Sequence, residues 1–195
     1  MDTYHVVLYI HLLSLFVGIG AASVLVVCLF QLRDARELTD AIPWGRAAGK
    51  IGRLFPVAIL GLLGSGAYMT SDIWTWSSGW IVVGIVALVV LAVQGPVIAE
   101  RSGKKLERAL IENGPGPLGE HARRMTRYWG LWVIEFSAIG LVLGVVWNMT
   151  TKPGTWTSIA AAVIGYAAGA GLGHLLSRAS SAESSVAAAA IGEQR

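Results

Sequence analysis

Residues 6–30 read VVLYIHLLSLFVGIGAASVLVVCLF, an unbroken run with no charged side chain. The hydrocarbon core of a bilayer is about 30 Å thick and takes roughly 20 helical residues to cross. The run is therefore long and apolar enough to span a membrane as a helix. Four more runs follow, at 54–70, 80–99, 129–149 and 156–176. Trp80, Trp129 and Trp156 open three of them, and Trp74, Trp76 and Tyr128 flank them, where amphipathic rings favour the headgroup level. The pattern predicts an all-α, polytopic transmembrane bundle of five spans, a four-helix core with an appended C-terminal Gly/Ala-rich fifth helix.

The whole chain agrees with that reading. Of its 195 residues 54% are hydrophobic and 14% charged, against about 25% charged in an average soluble domain. The net charge of +3 does not point to nucleic acid, because the basic residues lie in short loops between apolar runs. Their natural counter-charge is the anionic lipid headgroup, which makes the lipid bilayer itself the first partner.

The same basic residues set the orientation, since short loops rich in Lys and Arg stay in the cytoplasm. The first loop carries Arg33, Arg36, Arg46, Lys50 and Arg53. The third carries Arg101, Lys104, Lys105, Arg108, Arg123, Arg124 and Arg127, and the second carries none. With Arg178 and Arg195, fourteen of the fifteen basic residues fall on one side and only Lys152 on the other. The expected topology is N-out/C-in, in a bacterial cytoplasmic (inner) membrane. Met1 to His5 holds Asp2 but no Lys or Arg, so it lacks the basic segment of a cleaved signal peptide, and the first run is expected to be retained.

Residues 1–178 read as a single transmembrane helical domain and 179–195, rich in Ala and Ser, as a disordered cytoplasmic tail. The third loop should contain short helices at 106–111 and 118–127, broken by Asn113, Gly114, Pro115, Gly116 and Pro117. Pro96 after Gly95 should kink or end the third span. The last run is built from Ala and Gly and contains His174, so a re-entrant or cytoplasmic hairpin is its alternative. No internal repeat is visible, which weighs against inverted-repeat transporter architectures.

Helices approach closely in lipid where small residues recur four apart. Ala161, Gly165, Gly169 and Gly173 do so along the fifth run, Ser14, Gly18 and Ala22 on the first, Gly61 and Ser65 on the second, and Gly140 and Gly144 on the fourth. These stripes read as packing within the bundle or, alternatively, as faces toward a second copy or another membrane protein.

Three ionisable groups inside the spans are candidates for chemistry, because such a side chain at the centre of a membrane helix costs about 2.5–3.5 kcal/mol. Glu135 lies about 9 Å into the fourth run by helical rise. His174 lies at a depth differing by roughly one turn, so a Glu135–His174 pair, with Gln94 joining from the third run, is expected as a polar latch or proton relay. His11 lies in the other half of the membrane. A neutral imidazole there can ligate haem iron or a metal, or can be a core residue bonded to a carbonyl. His5, six residues away, is turned about 240° around the helix and cannot share a small site with it. A second axial ligand for a haem on His11 would be Met69, Met149, Tyr68 or none. Cys28 is the only cysteine, which excludes an internal disulfide and cysteine-based metal sites. No catalytic motif, phosphate-binding loop or metal-ligand spacing is present.

The sequence Tyr9, Ile10, His11, Leu12, Leu13, continuing to Gly18 and Gly20 and closing in a polar loop after Phe30, resembles bacterial families of predicted integral membrane proteins of unknown function. These are in turn similar to the copper-resistance D proteins and the haem-containing bacterial protoporphyrinogen oxidase. The segment Gly64, Ser65, Gly66 and Tyr68 resembles the families' second helix. The resemblance implies a four-helix core with an added fifth helix and a haem b role for His11. Ile10 before the histidine, the lack of a tryptophan before the glycine and the lack of a basic residue at 24–30 depart from the oxidase pattern, so oxidase chemistry is not part of the expectation. Three functional classes follow: a haem- or metal-binding bundle linked to redox or haem metabolism, a non-catalytic accessory or scaffold protein, and a small transporter with a Glu/His relay.

Overall fold

The computed structural model describes residues 2–95 and 100–192, with side chains described as far as residue 178. Its elements are α1 (Thr3–Asp34), α2 (Leu38–Gly52), α3 (Leu54–Ile73), α4 (Gly79–Gln94), α5 (Glu100–Asn113), α6 (Glu120–Thr126), α7 (Trp129–Thr151) and α8 (Thr155–Gly192). Among the described residues there is no strand. The kink expected at Pro96 lies outside the described residues.

Four helical stretches, Thr3–Asp34, Leu38–Ile73, Glu120–Thr151 and Thr155–Arg178, are long and apolar enough to cross a membrane. The chain is an all-α, multi-pass membrane protein. α4 is equally apolar but is described for only 16 residues, about 24 Å of helix. α8 is drawn as one helix to Gly192, through the tail for which the composition suggested disorder; alanine, which dominates there, is the strongest helix former.

α1, at 32 residues, is about 48 Å long and exceeds the hydrocarbon thickness. Its C-terminal end enters a small apolar cluster in which Leu32, Ala35, Ala41, Leu106, Leu110, Leu118 and Ala122 are buried, edged by Leu38, Trp44 and Met125. The first basic loop is thus largely helical. Leu38, Ala41 and Trp44 recur every third residue and form one face of α2, which packs on the end of α1 and on α5.

The connection between α5 and α6 is fixed by Asn113. Its Nδ2 donates to the Gly114 and Pro117 carbonyls at 3.0 and 3.2 Å, and its Oδ1 accepts from the Gly119 amide at 2.7 Å. Gly114 and Gly116 take φ of +68° and +113°, a region costly for a residue with a Cβ. The segment then clasps the α1–α2 link: the Leu118 amide donates to the Arg36 carbonyl at 2.9 Å and the Leu38 amide to the Gly116 carbonyl at 3.1 Å. All these elements belong to one basic face of the molecule.

Within the apolar layer α1 packs along α3, α7 packs along α8, and α4 lies against both α7 and α8. The two groups meet near the basic face where Phe30 of α1 stands edge-on to Trp132 of α7, centroids 4.8 Å apart. At the opposite face Trp74 stands edge-on to Trp80 at 5.3 Å. Lys152, which ends α7 in a left-handed conformation (φ 49°), holds its Nζ 4.3 Å from the Trp74 ring centroid.

Candidate functional site

The seam between α1 and α3 is an antiparallel ladder of small residues with one histidine in it. A Cβ added to Gly18 would lie 3.6 Å from that of Ala58, and one added to Gly61 would collide with the Ser14 hydroxyl. One turn further along, His11 Nδ1 lies 2.9 Å from Ser65 Oγ. The Ser65 hydroxyl donates back to the Gly61 carbonyl in its own helix. A serine has one proton to give: with that proton on the Gly61 carbonyl, Ser65 accepts from His11 and the imidazole proton sits on Nδ1. Nε2 then keeps its lone pair, the arrangement by which a second residue orients a ligating imidazole.

The residues that could complete a haem site do not gather around His11. Met149 fills the space left by Gly84, its Cε 2.7 Å from where a Cβ would stand, in the α4–α7 contact. Tyr68 is exposed on α3. Met69 is half-buried one turn beyond Ser65, on the same face and the same helix as the residue that holds the imidazole. A haem clamped between His11 and a second protein ligand therefore does not fit this arrangement, and a single bond through Nε2 is what the residues offer. No cluster of three or more His, Cys, Asp or Glu able to hold a metal ion occurs among the described residues.

The seam between α7 and α8 is tighter still. Cβ atoms on Gly140 and Gly165 would each run into the other's carbonyl oxygen, one on Gly144 would meet the Ala161 carbonyl, and ones on Gly169 and Gly173 would meet the Phe136 and Trp132 carbonyls. Two backbones in direct contact leave no room for side chains, which is what glycine spaced by four permits. Asn148, fully buried, closes the hairpin by donating from Nδ2 to the Ser158 carbonyl at 3.0 Å. Ala22 is half-buried on α1, next to the buried Ala21.

Gln94 does not join Glu135 or His174. It is buried at the end of α4, donates from Nε2 to the Ile134 carbonyl at 2.9 Å and to Ser137 Oγ at 3.0 Å, and accepts from the Tyr166 hydroxyl at 3.5 Å. One amide thus ties three helices together. Glu135 and His174 are not joined by a hydrogen bond or ion pair among the described residues. His174 is exposed and stands edge-on to Trp129, centroids 6.2 Å apart. The reason is angular. Ser137, Gly140 and Gly144 face α8, and at about 100° per residue they lie roughly 140–200° around α7 from Glu135, which therefore turns away from α8.

The reading of the sequence passed over Ser137, Asn148, Ser158 and Tyr166. Asn148 could have been found, because it stands four residues after Gly144 and continues the Gly140–Gly144 stripe. Ser158 likewise precedes Ala161 by three on the facing stripe. Tyr166 carries no such signal. Comparison with protein-family models, with curated proteins and with solved structures finds no match to this chain.

Proposed function

We propose that the chain is a five-span, N-out/C-in protein of a bacterial cytoplasmic membrane that works as a non-catalytic scaffold, presenting its helices to other membrane proteins. The observation that carries this reading is the use made of the polar groups within the spans. His11 is engaged by Ser65, Gln94 by α7 and α8, and Asn148 by α8, so these groups fix helices against one another. The lipid-directed surface meanwhile carries large rings, Tyr9, Phe16 and Trp156 being 65%, 68% and 83% exposed. Photocrosslinkers placed at Tyr9 and Phe16 in intact membranes test the proposal. Adducts of one defined mass with another membrane protein support it, and lipid adducts alone at both positions count against it.

A second reading, a haem- or metal-binding bundle, is favoured by the Ser65 hydroxyl at His11 Nδ1: with the ring proton on Nδ1, Nε2 is left as a donor atom. What such a group would supply is redox chemistry. What this chain supplies is one oriented imidazole. A Soret band in protein purified with added haem, lost in His11→Ala and kept in His174→Ala, supports this reading. A colourless wild-type protein removes it.

A further inference from the structure

A cleft of about 340 Å³ opens on the basic face, lined by Asp34, Arg36, Arg123 and Arg127, a size within the range of small-ligand sites. Its walls are built rather than incidental. Arg36 sits in the α1–α2 link, whose carbonyl is held by the Leu118 amide, and Arg123 sits on α6, whose N-cap Gly119 donates its amide to Asn113 Oδ1 at 2.7 Å. Arg127 donates from Nε to the Arg33 carbonyl at 3.3 Å, which joins the end of α6 to the end of α1.

The charges around the cleft do not balance. Asp34, the one carboxylate in its lining, is 3.2 Å from Arg33 Nε, and the Arg33 guanidinium is itself stacked over the Phe30 and Trp132 rings at 5.3 and 5.6 Å. No ion pair joins the Arg36 or Arg123 side chain to a carboxylate among the described residues. The Arg36 and Arg123 guanidinium groups, lining one concavity with a single, already engaged carboxylate, make a site for an anion. Arginine's planar set of donors matches phosphate oxygens in particular. The position adds a second indication. Tyr128 and Trp129, both exposed, follow Arg127 directly and belong at headgroup depth, where basic pockets between helix ends meet lipid phosphates.

We infer that this cleft binds a phosphoryl anion, carried by an anionic phospholipid of the adjoining leaflet or by free phosphate. Which leaflet adjoins it rests on the N-out/C-in reading; binding in detergent does not, so a failed topology experiment and a failed titration are distinguishable. The full-length protein in neutral detergent is titrated with short-chain phosphatidylglycerol, with phosphatidylcholine of equal chain length, and with inorganic phosphate and pyrophosphate. Thermal unfolding and native mass spectrometry give the readout. Phosphatidylglycerol should be retained and should stabilise the protein, while phosphatidylcholine does neither. Arg36→Gln and Arg123→Gln should each weaken retention about tenfold, as for loss of a charge-assisted hydrogen bond. Asp34→Asn should strengthen it, and Lys105→Gln, on the exposed side of α5, should leave it unchanged.

Stabilisation by phosphate or pyrophosphate with the same dependence on Arg36 and Arg123, without lipid retention, assigns the site to soluble phosphate and keeps the anion proposal. Absence of binding by every probe overturns it. So does binding that Arg36→Gln, Arg123→Gln and Asp34→Asn all leave at the wild-type level; the last variant removes a negative charge and guards against reading a folding defect as lost affinity.

Discussion

Gly140 and Gly165 face each other so closely that a methyl group on either would strike the carbonyl oxygen of the other. Gly165→Leu must therefore push α8 off α7, with an expected loss of stability at the upper end of the about 1–3 kcal/mol seen for overpacking. Gly171→Leu is the internal control, because nothing lies within 4 Å of a Cβ at that position; its effect should stay within about 0.5 kcal/mol. Thermal unfolding in detergent compares the two, and equal effects would refute the seam.

Ser65 and His11 should behave as a coupled pair. In a double-mutant cycle with His11→Ala and Ser65→Ala the expected interaction is about 0.6 kcal/mol and at most about 1.7, the range for hydrogen bonds between membrane helices. Unfolding titrations of the four proteins measure it. A vanishing interaction term would mean that the imidazole does not use the serine.

Glu135 and His174 should not couple. Since Glu135 turns away from α8, Glu135→Gln and His174→Ala are expected to add within about 0.5 kcal/mol in the same kind of cycle. A double variant clearly milder than the sum of the two would restore the latch and with it the relay.

The orientation is checked by reporter fusions. Those after Asp72 and after Lys152 should read as outside the cell, and those after Arg46, Lys104 and Arg178 as cytoplasmic, because short basic loops are retained on the inner side. A cytoplasmic reading after Asp72 would invert the scheme. Lys152, at the end of α7, rests on the Trp74 ring, so Lys152→Gln should leave the topology as it is.

What the sequence conveyed and what it hid divide along a physical line. Hydrophobic length is a property of one segment, so the apolar runs could be read directly. Spacing by four is also local, so Gly140, Gly144, Ala161, Gly165, Gly169 and Gly173 could be marked as contact positions. Depth is local too, and it brought Glu135 and His174 together on paper. The angle around α7, at about 100° per residue, is carried by the same stripe and separates the two. The pairing of His11 with Ser65 and of Gln94 with Tyr166 depends on the register between helices, which no single segment contains. The apolar face of α2 is hidden in the sequence by Asp40, Arg46 and Lys50, which lie in the same stretch as Leu38, Ala41 and Trp44.

The clasp between the Arg36 carbonyl and the Leu118 amide has a consequence for the order of synthesis. The link after the first span is made early, whereas Leu118 emerges only after α3 and α4. Until then Leu32, Ala35 and Ala41 are covered by Leu38 and Trp44 alone and lack Leu106, Leu110, Leu118 and Ala122. A chain that ends after α4 therefore leaves this apolar cluster half-built, and completion of the third loop is the step that closes it.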